Sequence, residues 1–429
     1  EVQPSNTGNV GLERTADGML HVLWVRDSGP TEELMYSAIS ADATSVTGPH
    51  QIIQSPNSIN RSVDLVPGPG GGIRALFAGL FPGADSFTNG MATATSADGA
   101  TWSPVAPASQ NDPALANDGG MAYIAAGIAG GVTPDGTVIS IWGDSSSDGA
   151  AYHVGLDPAV PNVPLSPSLC EGHPNVGVDG VSGEVVLGWR CAATKTLQVL
   201  TPGGLLDAPK SGAVELQQRI GLSGRIGAPG VYAAYGTGTN PLRARPGLWR
   251  VGAKQVSVIK QPRDARFTTL APAPGGRLWI AWVGEDRGKR IFATRTNAAA
   301  TKIGGVVSVK PPAGTQSIHH LAAEGSTGNL DVIAHVQRGS NDIAQWHQRL
   351  LPGLLVGAKP KAVAAGKKVT LTVSDAGAAI AGGKVSLKLG KKTVKGKTNG
   401  KGKVKLKVRA GTKPGKYTAR ASRSGYANG

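Results

Sequence analysis

The side chains able to do chemistry are scattered along this chain rather than gathered into a known motif. Paired carboxylates, of the kind general acid–base work needs, stand at Glu32-Glu33 and Glu285-Asp286. Both fall in charged turns near strand ends, so solvated loops are the first reading. Asp144-Ser145-Ser146-Ser147-Asp148-Gly149 offers oxygens to a cation such as Ca²⁺ but lacks EF-hand spacing and reads as a polar loop. His173 opens one apolar stretch and His319-His320 another. Neighbours on a strand point to opposite faces, so His319 and His320 are not expected to share one metal ion. No P-loop, nucleophile elbow or His-Glu-x-x-His is present.

The elements that must carry these residues are β-strands. Gly is 62 and Pro 29 of 429 residues, which argues against a helical or doubly wound protein. Glycine has no three-residue period, which excludes collagen, and 40% hydrophobic residues are too many for a disordered chain. A short strand with a glycine turn before it and a ring at its end recurs seven times. The ring positions are Trp24, Phe77, Trp142, Trp189, Tyr235, Trp282 and His335. Gly18, Gly71, Gly136, Gly183 and Gly276 each lie six residues before their ring; Asn329 takes that place in the seventh copy, and Pro229 breaks the pattern in the fifth. Each copy is flanked by further apolar stretches, so one unit is three or four antiparallel strands. Units repeated radially make a β-propeller. The chain is therefore expected to be all-β, with a propeller over residues 1–355. It has seven blades, or six if the irregular fifth or seventh copy is not a blade. The ring column packs between blades, and the Pro/Asn/Asp-rich segment 104–119 forms an extended loop.

On such units Arg61, His173, Arg266 and His319 start inner strands, whereas Arg26, Asp144, Arg190 and Glu285 lie just past the ring column. Which group shares a face depends on strand order. The candidate ligand face is Arg61, His173, Arg190, Arg266 and Glu285.

Residues 356–429 change character. Lys alternates with Val and Leu in KKVTLTV, KVSLKL and KVKLKV, the period-two pattern of half-buried strands, and TNGKG is a hairpin signal. A small Lys-rich β-sandwich, immunoglobulin-like in layout, is expected. One more strand would be needed after GYANG to close it, so either the chain is trimmed or a partner supplies the strand.

Charge is uneven along the chain. The net is +16, made up of −14 over residues 1–194, +12 over 195–350 and +18 over 351–429, where Asp375 is the single acid. A uniform nucleic-acid binder needs no acidic half. Such asymmetry suits head-to-tail contact or docking on an anionic surface, with a solubilising pattern as the plain alternative. Cys170 and Cys191 are the only cysteines and form no Cys-x-x-Cys pair, which leaves zinc and thioredoxin chemistry without support. One disulfide between them is expected, and with it an exported setting; two free cysteines in a reducing compartment would look the same. No apolar run reaches the ~20 residues of a membrane helix, and the start at Glu1 fits a processed N-terminus.

Ser96-Ala97-Asp98-Gly99-Ala100-Thr101-Trp102 resembles the Asp-box of sialidase-like propellers, one residue shorter than usual, with a weaker echo at Ser40-Ala41-Asp42-Ala43-Thr44. In that family Ser96, Asp98, Gly99, Thr101 and Trp102 would close a structural hairpin. Residues 356–429 resemble bacterial Ig-like modules of secreted and surface proteins. Sialidase chemistry would need an arginine triad, a Tyr–Glu pair and an acidic Asp. The nearest matches to the family's first arginine are Arg219-Ile220-Gly221 and Arg225-Ile226-Gly227, both without its proline, and no Tyr pairs recognisably with a Glu. The resemblance thus implies a secreted or cell-surface protein without catalysis. It would bind a surface glycan or cell-wall polyanion, or assemble head-to-tail with copies of itself. The alternative is a glycoside hydrolase or lyase acting in the propeller mouth. No cofactor, metal or specific nucleic acid is implied.

Overall fold

The computed structural model describes residues 9–27, 32–55, 63–80, 89–107, 127–146, 149–156, 163–164, 173–191, 194–214, 219–260, 264–284, 289–339, 342–360, 364–389, 392–408 and 417–429. They are all-β: among them are nine antiparallel sheets and no α-helix. The first six sheets have four strands each in sequence order, and the seventh has three.

The strands that open the seven sheets are Gly11–Arg14, Val63–Pro67, Ile128–Val132, Asn175–Val178, Gly221–Arg225, Arg266–Ala273 and Ser317–Glu324. Each lies beside the opening strand of the next sheet, and the last lies beside the first, so the seven form a closed ring. Hydrophobic clusters fill the gaps between sheets. Trp24 packs with Ile333 of the seventh sheet, and Phe77 packs with Leu23, Leu34 and Tyr36 of the first. Trp24, Phe77, Trp189, Tyr235, Trp282 and His335 are all buried. The side chain of Trp142 lies outside the described residues, as does most of the 104–119 loop.

The turns between first and second strands gather at one end of the ring. A Cβ on Gly183 of the fourth sheet would touch Pro134 of the third, and Arg225 Nε of the fifth donates to the Gly276 carbonyl of the sixth at 2.7 Å. Two turn positions differ from expectation. In the seventh sheet the positive φ belongs to Gly328 (+95°) and not to Asn329. In the fifth a bulge between Ser223 and Arg225 moves the turn forward, so Gly227 (+63°) does the work that Pro229 cannot.

The turn at 96–102 is closed by its own side chains. Ser96 Oγ accepts the Gly99 N–H at 2.7 Å, and Asp98 Oδ1 accepts those of Ala100 and Thr101 at 2.8 and 2.9 Å. Trp102 Nε1 donates to the Gly99 carbonyl at 2.9 Å, with its ring edge-on to Tyr36. Gly99 has φ +76°, and a Cβ there would fall 1.8 Å from the Tyr36 hydroxyl, so only glycine fits.

The tail holds the other two sheets. Leu355–Lys359, Lys368–Asp375, Ala378–Ala379 and Lys403–Lys407 form one; Lys392–Lys397, Lys384–Leu389 and Tyr417–Ser422 form the other. Their alternation buries Val369, Leu371, Val373, Val385, Leu387, Leu406 and Ala421 in one core and turns the lysines outward. The tail is joined firmly to the sixth sheet. Asp375, buried, accepts from Arg295 Nη2 at 2.5 Å and lies 3.3 Å from Arg277 Nη1. Gly305 and Gly353 bridge backbone to backbone, so closely that a Cβ on Gly353 would sit 2.5 Å from the Gly305 carbonyl oxygen. Asp375→Ala strands two arginines at this contact. Because both keep some water, the cost should lie near the low end for a truncated buried charge pair, about 2 kcal/mol. Limited proteolysis should then release the tail from an otherwise intact ring; unchanged protection would show that the arginines do not hold it.

Candidate functional site

The opening strands line a central channel, and their side chains divide it into a sealed end, a waist and an open mouth. Strands run antiparallel to their neighbours, so the starts of first strands and the ends of second strands share one face. Arg266 stands opposite Val283, and Asn175 opposite Gly188, with His173 and Arg190 two residues beyond that pair. The described members of both groups, His173, Arg266 and His319 with Arg26 and Arg190, therefore lie at the same end. They do not converge as free ligand-binding groups. Arg190 Nε donates to the Val214 carbonyl at 2.6 Å, Arg266 Nε lies 3.5 Å from Asp264, and Arg26 pairs with Glu33. Arg61, Glu285 and Cys170 lie outside the described residues, as do the tip 147–148 and the Asp144 side chain; Cys191 is disulfide-bonded.

The sealed end is an aromatic plug. The His320 ring lies 5.4 Å from His335 and 6.0 Å from both His173 and Phe267, centroid to centroid. Asn9 Nδ2 is 3.0 Å from His173 Nδ1. Matching bulges build this plug: the register slips between Arg266 and Thr269 and again between His319 and Leu321. Phe267 and His320 take positive φ there, +46° and +44°, which bulky residues adopt only under constraint. The bulge also corrects an expectation from strand alternation. His319 and His320 do not diverge to opposite faces, since both rings lie 6.0 Å from Phe267. Burial holds three of these histidines neutral. It lowers His335 to about 3 and, with Arg219 nearby, His173 to about 4. It also takes His320 well below its usual value, helped by His335, His173 and His319. Among the described residues no three His, Cys, Asp or Glu side chains are placed to hold a metal ion.

At the waist, Asp64 of the second sheet meets Arg219, just before the fifth, in a two-pronged ion pair. Asp64 Oδ2 also accepts the Gly130 N–H at 2.8 Å. The other arginine suggested by sequence, Arg225, gives its guanidinium to the carbonyls of Gly276, Pro229 and Ala298. Neither arginine is free to grip a carboxylate.

The mouth is a cavity of about 640 Å³ at the turn end, walled by Pro67, Pro134, Pro272 and the backbone of 224–227. Three acidic residues line it: Asp64, already paired with Arg219, and Asp179 and Glu13. Burial works against ionisation of Asp179, but the N–H groups of Ser182, Gly230 and Val181 outweigh it and hold the carboxyl below its usual range. Glu13 goes the other way. Burial pushes its carboxyl up to about 8, and Glu324 and Asp64 add repulsion. The N–H and the charge of Arg14, its chain neighbour, pull the other way but do not offset this, because the guanidinium is bonded to Glu324 and Asp331. At neutral pH the mouth thus presents one uncharged carboxylic acid that donates and accepts, the fixed carboxylate of Asp179, the Asp64–Arg219 ion pair, the bonded guanidinium of Arg225 and backbone groups. Such a lining suits an uncharged polyhydroxyl ligand. Sequence reading missed Glu13, Asn9 and Phe267; a lone acid inside a strand that should be lining a channel was the only signal for the first.

No protein-family model and no curated protein matches this chain. Solved structures similar to it include a protein of unknown function from Dyadobacter fermentans, 12% identical, TM-score 0.48, with 81% of this chain and 96% of that one aligned. The six-bladed β-propeller fucose-binding lectin of Aleuria aurantia is 13% identical, TM-score 0.43, over 81% and 93%. A leech intramolecular trans-sialidase is 10% identical, TM-score 0.43, over 65% of each chain.

Proposed function

We propose that residues 1–355 are a seven-bladed, sialidase-like propeller and residues 356–429 an Ig-like module of an exported surface protein. In this reading the propeller mouth binds an uncharged glycan without turning it over. The closed order of seven opening strands supports the blade count. The disulfide-bonded state of Cys191 supports an oxidising compartment. One observation carries the ligand class: both arginines at the mouth, Arg219 and Arg225, are bonded to Asp64 and to backbone carbonyls, and burial beside them raises the Glu13 carboxyl to about 8. A carboxylate-bearing sugar would find no guanidinium to pair with.

The test is a glycan array on the full chain, followed by calorimetry on the best neutral oligosaccharide. Affinity should fall as pH rises through about 8, where Glu13 loses its proton. Glu13→Gln, which keeps a neutral donor and acceptor, should bind as well and lose that pH dependence. Preference for sialylated or uronate glycans would defeat the reading. The neutral acid is also what a general acid of a glycoside hydrolase or lyase requires, and this is the second reading. The same variant separates the two: with Gln at 13 a hydrolase would keep binding and stop releasing sugar.

A further inference from the structure

We propose that the outward face of the tail's three-stranded sheet docks on a second copy of this chain, against the carboxylate-bearing turns of that copy's first three sheets. This surface is separate from the channel mouth and does not depend on what the mouth binds.

The donor face is defined by register. Lys384 stands opposite Lys397 on one side and Ser422 on the other; Ser386 stands between Lys395 and Arg420. Opposed residues share a face, so Lys384, Lys395, Lys397 and Arg420 project together, all exposed, around a groove of about 770 Å³. Lys384 directly opposite Lys397 is a repulsive pair in an isolated sheet. Asp375, the one acidic side chain of residues 351–429, does not relieve it, because it is buried against Arg277 and Arg295. A face with that much unbalanced charge calls for an anionic partner.

The same chain carries one. Asp17, Asp42, Asp98 and Asp135 are exposed and sit in turns of the first, second and third sheets, all at the turn end of the ring. Each is fixed by its own turn: Asp17 accepts the Met19 N–H, Asp42 that of Thr44, Asp98 those of Ala100 and Thr101, and Asp135 that of Thr137. Those bonds, with the hydroxyls of Thr15, Ser40, Ser96 and Thr133, hold all four carboxyls below their usual range, so they stay charged. The chain's own tail is anchored on the sixth sheet, two or three places round the ring from those turns, where the turn end carries Arg295 and Lys302 instead. The complementary surfaces therefore meet between copies. Donor and acceptor differ, so the contact is heterologous and propagates rather than closing as a pair.

Self-association of the full chain should weaken at least tenfold between about 20 mM and about 500 mM salt, as exposed charges are screened. This arm needs no variant. Two variants then isolate the faces. One carries Lys384→Glu, Lys395→Glu, Lys397→Glu and Arg420→Glu; the other carries Asp17→Asn, Asp42→Asn, Asp98→Asn and Asp135→Asn, where the amide oxygen still closes each turn. With melting unchanged, each alone should be monomeric by sedimentation, and an equimolar mixture should form a dimer and nothing larger. A monomeric wild type at low salt, continued assembly by either variant, or a mixture that stays monomeric overturns the proposal. So does a wild type that stays monomeric yet binds polygalacturonate through the tail, which would make the occupant an acidic polymer.

Discussion

Asp331→Ala should cost about 3–5 kcal/mol of global stability, the range for removing one partner of a buried ionic cluster. Asp331 is fully buried and accepts from three side chains: Arg14 Nη2 at 2.5 Å, Arg349 Nε at 2.9 Å and His347 Nε2 at 2.8 Å. Arg14 belongs to the first sheet and the other three to the seventh. Arg349 also donates to the Ala41 carbonyl in the first sheet at 2.7 Å, and Arg14 donates to the Glu324 carboxylate at 2.5 Å. The cluster therefore fastens the two ends of the ring, across 317 residues of chain. Removing the carboxylate leaves two guanidinium groups in a site built to neutralise them. Asp331→Asn keeps an acceptor without the charge and should fall between. Urea unfolding measures both, with the midpoint shift read at constant slope. Asp342→Ala is the control: its ion pair with Arg338 is partly open to solvent and should be worth about 1 kcal/mol or less. A loss from Asp331→Ala no larger than the control's would mean that apolar packing alone closes the ring.

This closure was not legible in the sequence. Arg14, Asp331 and Arg349 belong to no motif, and nothing in their spacing says that residues 14 and 331 meet. The all-β reading was legible because period-two alternation and glycine turns are local: DGTVISIW and GGRLWIAW lie in the strands Val138–Ser146 and Arg277–Gly284 and in the turns before them. Chemistry depends on exceptions to that alternation. The bulges at 266–269 and 319–321 insert Phe267 and His320 into the plug, and a bulge has no signature in a run such as SIHHLAAE. Alternation alone therefore puts His319 and His320 on opposite faces, and the bulge does not. Arg219 and Arg225 were visible as candidates, but their commitment to Asp64 and to backbone carbonyls comes from elements far away in sequence.

Acidification should dissolve the plug, and the sign can be worked out from its members. His173, His320 and His335 are held neutral in the folded chain to well below pH 6.5, whereas each takes up a proton near 6.5 when unfolded. Below pH 6.5 the unfolded state thus binds three more protons from these groups, and stability falls as pH falls. Glu13 opposes this. Its folded value near 8 means that the native state holds one extra proton from about pH 4.5 up to 8, so its contribution falls as pH rises. Between pH 6 and 4.5 these four groups together give a net of about two protons in favour of unfolding, about 2.7 kcal/mol per pH unit, and His21, lowered by burial, adds in the same direction. A chain of ordinary marginal stability cannot lose that over more than a few units. Unfolding should therefore set in above the range where surface carboxylates titrate. His335→Phe tests the origin. Position 335 belongs to the ring column, where an apolar ring packs without any proton to exclude. The variant should unfold at a lower pH, and its slope between pH 6 and 4.5 should be about half that of the wild type, one net proton in place of two. Glu13→Gln should instead steepen the slope by about half, to three net protons. Urea midpoints at pH 7, 6 and 5 read both changes. Parallel pH profiles for all three proteins would mean that the plug's histidines are reached by water and protonate in place.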